Sequence, residues 1–242
     1  MKGKVKNMQI WEHGQEHERT LLFFPCTAEP VWAFSETVAL LSWKWHVFQV
    51  IYDGHQPEYP GDFTSVEQTV DEVTAYLKNH GVVHLDAAYG CSLGGACLTR
   101  LLALGEIPVS HAIIDGGITP YQFPYLVRKL RLALDVLSFK LVANNRKVLE
   151  TAFPPERFTL PGHDAVKEYD EIERYLKTYS DRTIRNVFWS GNNYALPQMP
   201  AAGGTKITYW YGDDEKKDRR SNIRFIKHYF PQTRIHGIPK MA

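Results

Sequence analysis

Cysteine, long apolar runs and net charge are all scarce in this chain. Its 242 residues hold three cysteines, Cys26, Cys91 and Cys97, an odd number with no CxxC and no Cys/His spacing of the kind that ligates zinc. Neither a disulfide framework nor a metal knot is expected, and the three read as reduced thiols of a cytoplasmic protein. The 28 Lys and Arg against 27 Asp and Glu leave a net charge of +1, so no strong overall field draws the chain to nucleic acid or to an anionic membrane. No window approaches the roughly 20 apolar residues of a membrane span, and no apolar core follows the basic start Met1-Lys2-Gly3-Lys4-Val5-Lys6. These absences point to a small-molecule partner, with a homodimer possible and no cofactor called for.

What is present is alternation. Strand-like runs at 7–12, 20–24, 46–52, 82–89, 112–114, 206–211 and 233–238 are separated by helix-like stretches at 32–43, 64–79, 93–104 and 217–229. This order predicts an α/β fold: a mostly parallel sheet with helices on both faces. Thr64, Ser65 and Glu67 offer capping chemistry for the second helix, and Gly81 closes it. The stretch 119–195 lacks buried-strand runs and is broken by Pro154-Pro155 and Pro161-Gly162. It is expected to be a helical cap inserted into a core made of 1–118 and 196–242, lying over the sheet edge where open α/β sheets bind ligands. Tyr121, Phe123, Tyr125, Phe139 and Phe153 belong to it, as pocket lining or as cap core.

The most informative stretch is Tyr89-Gly90-Cys91-Ser92-Leu93-Gly94-Gly95. It sets a G-x-S-x-G pentad between a strand-like run and an amphipathic helix, so Ser92 falls on a sharp strand-to-helix turn. Such a turn needs small residues two before and two after the serine, and Gly90 and Gly94 meet that need.

With these residues in place the chain resembles the α/β-hydrolase superfamily over essentially its whole length, the elbow Gly90-Cys91-Ser92-Leu93-Gly94 being the most specific match. The resemblance implies a serine nucleophile, an acid and a histidine in that chain order, acting on an ester, thioester or related acyl bond through an acyl-enzyme. It implies an oxyanion hole made by the amide of Leu93 and one from the loop after the 20–24 run. There Pro25-Cys26-Thr27 departs from the family's His-Gly turn, leaving Thr27 as the donor and Cys26 as its alternative. Losing such a donor typically costs about 3 to 4 kcal/mol of transition-state stabilisation.

The acid is expected just past the 206–211 strand, where Asp213, Asp214 and Glu215 follow Gly212. Register favours Glu215, then Asp214, with Asp115 a further alternative; an acidic turn ahead of a helix also needs no catalytic explanation. The base is expected in the segment after the last strand, at the position following Ala242, with His236 inside that strand as the fallback. His55, His80, His84, His111, His163 and His228 show no triad register. His84, Asp86 and His111 lack a metal-binding spacing, so no metal is expected. A weakly active ligand-binding relative and an acyltransferase using the same serine are the competing readings. A serine at the elbow argues against dehalogenase or epoxide-hydrolase chemistry.

Overall fold

The computed structural model describes residues 8–59, 61–120, 123–159, 162–201 and 203–239. The basic start Met1 to Lys6, Tyr121, Pro161 and the terminal Lys240, Met241 and Ala242 lie outside them.

Seven strands form one sheet: β1 (Gln9–His13), β2 (Thr20–Phe24), β3 (His46–Ile51), β4 (Leu85–Cys91), β5 (Val109–Asp115), β6 (Lys206–Gly212) and β7 (Arg234–Ile238). Their order is β1-β3-β2-β4-β5-β6-β7, with β1 antiparallel and every other pairing parallel. The α/β architecture read from the sequence is therefore the observed one. Chain direction across the sheet reverses between β2 and β4, and it is outside the carboxyl ends of such a reversal that open sheets bind ligands.

Helices α1 (Ser35–Ser42), α2 (Val66–Asn79) and α3 (Leu93–Leu104) follow β2, β3 and β4 in turn. The hydroxyl oxygen of Ser65 caps α2, accepting from the amide of Gln68 at 3.1 Å, while Val66, Val70, Val73 and Leu77 bury one face of that helix. These meet Leu22, Phe24, Phe48 and Val50 of the strands and Leu98 and Leu101 of α3 in the main core. The opposite sheet face is smaller, with Val38 of α1 on Leu21, Phe23 and Val47.

Among the described residues, five helices lie between β5 and β6: α4 (Tyr125–Asn144), α5 (Arg146–Ala152), α6 (Pro155–Phe158), α7 (Ala165–Leu176) and α8 (Asp181–Gly191). They carry a core of their own in which Leu149, Tyr169, Tyr175, Leu176 and Ile184 are buried. α9 (Arg220–Tyr229) then crosses from β6 to β7. No helix among the described residues is long and apolar enough to cross a membrane.

Some boundaries differ from those the sequence suggests. The 82–89 run enters the sheet only at Leu85, leaving Val83 76% exposed, because Gly81 turns the chain in the left-handed region at φ +74°. β5 begins at Val109 rather than Ala112, since it pairs along all of β4 from Leu85↔Val109 to Cys91↔Asp115. The 32–43 stretch splits into a 3-10 turn, Val31–Phe34, and α1. α9 starts at Arg220 rather than 217, after a 3-10 turn over Asp213–Glu215.

Candidate active site

Ser92 sits between β4 and α3 with φ +51° and ψ −107°, a conformation that a residue with a Cβ adopts at a cost of about 1–3 kcal/mol. Three backbone bonds hold it there. Its amide donates to Asp115 O at 2.9 Å, and its carbonyl accepts from Ala96 and Ile118, both at 3.2 Å. The flanking glycines are required by contact. A Cβ on Gly94 would run into the carbonyl oxygen of Phe24 and come within 2.6 Å of that of Pro25, and one on Gly90 would meet the backbone of Gly94. Among the described residues nothing hydrogen-bonds the Ser92 hydroxyl, and the side chain is only partly buried.

Because Phe24 of β2 stands opposite Gly90 of β4, the loop after β2 lies beside the elbow. Cys26, Thr27, Leu93 and Ser92 are thus brought to one corner of the sheet. The Leu93 amide belongs to the first turn of α3, where no intrahelical carbonyl is available to it. The partial positive charge of the helix start favours an anion there.

The loop itself is held from several sides. Tyr52 donates its phenol hydrogen to Pro25 O at 2.8 Å. Thr27 Oγ1 lies 2.8 Å from His55 Nε2, and His55 Nδ1 lies 3.0 Å from Asp53 O. A carbonyl only accepts, so Nδ1 carries the ring hydrogen and Nε2 takes the hydrogen of the Thr27 hydroxyl. Burial, opposed by the Asp53 bond, pushes the His55 pKa down to about 4. Ala28 stands at φ +66° and donates its amide to the Tyr179 hydroxyl at 3.1 Å; Tyr175 donates to Glu29 O at 3.1 Å. A hydrogen bond with Cys91, together with burial, keeps the Cys26 thiol well above the usual thiol range, a poor nucleophile next to the serine.

The acidic candidates fall in two places. Asp115 ends β5 and accepts from the Tyr89 hydroxyl at 2.7 Å. Glu215 pairs with Arg219 through Nε at 3.0 Å and Nη2 at 3.2 Å, and Arg219 Nη1 donates to Gly116 O at 2.8 Å. The Glu215 carboxylate is thereby braced across the ends of β6 and β5. Asp213 and Asp214 are exposed in the same turn, with Asp213 packed against Gly237 of β7. His236 lies in β7 opposite Trp210, exposed to solvent, and among the described residues no hydrogen bond or ion pair joins it to Ser92 or Glu215.

Elsewhere, His84 Nε2 lies 2.9 Å from Ser110 Oγ, and Asp86 accepts the Thr20 amide at 2.9 Å. His111 is exposed. Of the expected aromatics, Phe139 packs on Tyr179 and Phe188, whereas Phe123, Tyr125 and Phe153 are 51%, 54% and 42% exposed rather than part of an inner core. Sequence reasoning passed over Arg219, Tyr175 and Tyr179. The first was visible as a cation four residues after Glu215; the tyrosines meet the loop only through the fold.

No protein-family model matches the chain, and no curated protein sequence does. Solved structures do. One assigned to the alpha/beta hydrolase family, from Desulfitobacterium hafniense, aligns with a TM-score of 0.71 at 14% identity, over 97% of this chain and 92% of that one. MenH from S. aureus gives 0.71 at 14%, over 98% and 91%. The enol-lactonase from Burkholderia xenovorans LB400 gives 0.66 at 16%, over 96% and 87%. Sheet order, the strained serine between β4 and α3, and these alignments together give the chain the α/β-hydrolase fold.

Proposed function

We propose that this protein is a serine hydrolase that cleaves an ester, thioester or related acyl bond of a small molecule through an acyl-enzyme at Ser92. The observation that carries the reading is Ser92 itself, held at φ +51° where the sheet order reverses, next to a loop that can present a second amide. A strained, solvent-reachable serine with small residues wedged on both sides has no structural task that glycine would not do better.

In this reading Ser92 Oγ attacks the acyl carbon and the charge gathering on the carbonyl oxygen is met by the amides of Leu93 and Thr27, with Cys26 the alternative donor. A histidine takes the serine proton and returns it to the leaving group. The resemblance assigns that base to the segment following β7, with His236 as the candidate inside the strand. Glu215 is the orienting acid by register, with Asp214 and Asp115 behind it. Helices α4–α8 are the cap, and its tyrosines Tyr175 and Tyr179 shape the wall of the pocket above the loop after β2. The acceptor is water; an acyltransferase would use the same residues.

The test is a fluorophosphonate probe with the wild type and Ser92→Ala. Labelling of the wild type alone, together with turnover of short p-nitrophenyl esters, supports the assignment. Equal labelling of both proteins refutes it. Lower turnover in the presence of a competing alcohol acceptor, with ester exchange, would move the activity to acyl transfer.

A further inference from the structure

His55 is 4% exposed and its ring is boxed in by Tyr52, Phe63 and Tyr179 at centroid distances of 5.1, 5.7 and 5.0 Å. Among the described residues its ring nitrogens meet Thr27 Oγ1 and Asp53 O, and no hydrogen bond joins it to Ser92 or to a carboxylate, as a triad base would need. Yet both its ring nitrogens are spoken for. With Nδ1–H given to Asp53 O, Nε2 can only accept, and the donor facing it is the hydroxyl of Thr27.

Thr27 is β-branched, so fixing Oγ1 fixes χ1 and, through the short side chain, constrains its own peptide plane. The next residue, Ala28, is in the left-handed region, a conformation that relaxes unless neighbours over-determine it. Tyr179 holds the Ala28 amide. The Thr27 amide belongs to the Cys26–Thr27 peptide, directly ahead of these two anchors, so the chain that carries it is fixed on its C-terminal side.

We infer that His55 is a positioning residue for the oxyanion hole: its unprotonated Nε2 anchors the Thr27 hydroxyl and thereby aims the Thr27 amide at the acyl oxygen bound over Ser92. This rests on the serine-hydrolase reading above and adds to it a residue that touches neither substrate nor nucleophile. The contribution belongs to the transition state, because a donor displaced by a fraction of an ångström still tolerates a neutral carbonyl and fails an oxyanion. Its loss therefore lowers kcat and leaves KM nearly unchanged.

The experiment compares the full chain with His55→Gln, His55→Phe, Thr27→Val and the His55→Phe/Thr27→Val double variant. It reads kcat and KM on a short p-nitrophenyl ester, the rate of fluorophosphonate labelling, and the urea midpoint. His55→Phe and Thr27→Val are each expected to lower kcat by roughly 10- to 100-fold, the scale of a misplaced donor. The double variant should be no slower than either single one, because both remove the same bond. His55→Gln, whose side-chain oxygen can accept where Nε2 did, should recover most of the rate. Folded single variants that match wild-type kcat, or losses that multiply in the double variant, overturn the inference. A wild type that neither labels nor turns over rejects the serine-hydrolase reading instead, whereas a wild type that labels while the variants keep pace rejects the positioning role alone.

Discussion

The amide of Ala28 and the hydroxyl of Tyr179 are 3.1 Å apart although 151 residues separate them in the chain. This bond ties the loop after β2, beside the serine, to the turn between α7 and α8. Tyr179 in turn lies 3.0 Å from the hydroxyl of Tyr175, which donates to Glu29 O on the same loop.

Tyr179→Phe keeps the ring and deletes the acceptor. The Ala28 amide is then left without its partner, at a cost of about 1–3 kcal/mol. The urea midpoint should fall accordingly, and ester turnover should fall further than the midpoint alone accounts for. An unchanged midpoint would show that the inserted helices do not brace the loop.

At Ser92 stability and activity should part company. Ser92→Ala and Ser92→Gly both remove the hydroxyl and should both abolish probe labelling. Glycine alone also removes the Cβ that makes φ +51° costly, a saving of about 1–2 kcal/mol set against the roughly 0.5–1 kcal/mol that glycine loses in chain entropy. Ser92→Gly is therefore expected to melt above Ser92→Ala. The reverse order would mean that the turn carries no strain.

Gly94→Ala tests the closeness of the elbow to β2. The added methyl would collide with the carbonyls of Phe24 and Pro25, both backbone and unable to swing aside, so a loss of more than about 3 kcal/mol or failure to fold is expected. Gly81→Ala is the comparison: nothing lies within 4 Å of its Cβ position, and only its φ of +74° opposes the change, at about 1 kcal/mol. Similar losses at the two positions would contradict the contact argument.

The elbow was legible because its physics is local: a strand, a turn that demands glycine on both sides, and a helix lie within one continuous stretch of residues. The mostly parallel α/β sheet followed from the alternation of strands and helices in the same way, whereas the order β1-β3-β2-β4-β5-β6-β7 came only with the fold. His55 was not legible as a partner of Thr27, since its only sequence mark is a place in the loop after β3, which pairs with β2 through the fold. Tyr175, near the end of α7, and Tyr179, in the turn after it, carry no motif either. Register in the sequence pointed to Glu215 as the acid, and the i,i+4 spacing to Arg219 that pairs the two was equally readable there. Phe123 and Tyr125 misled because aromatic content suggests a buried lining, whereas it is Val136, Phe139 and Ala143 of α4 that face the core of the inserted helices.

The pH dependence of stability should expose two neighbouring groups that pull in opposite directions. His55 is faced by the phenols of Tyr52 and Tyr179 and by the ring of Phe63, and its pKa is pushed from 6.5 to about 4, chiefly by burial. Between those values the unfolded chain takes up the proton first, so acidification through this window removes up to about 3 kcal/mol of stability. Asp53 behaves inversely. Burial first, and the Glu72 carboxylate second, raise its pKa from 3.8 to about 6, so between 6 and 3.8 the folded chain takes up the proton first and acidification favours folding. The wild type should therefore show a muted response between pH 6.5 and 4. Asp53→Asn removes the opposing group and should steepen the loss, while adding His55→Gln to it should flatten the curve again. Urea midpoints at pH 7, 6, 5 and 4 for the three proteins measure this: an Asp53→Asn curve no steeper than the wild type would show that Asp53 does not oppose the loss, and a double variant as steep as Asp53→Asn would show that His55 is not held neutral in the fold.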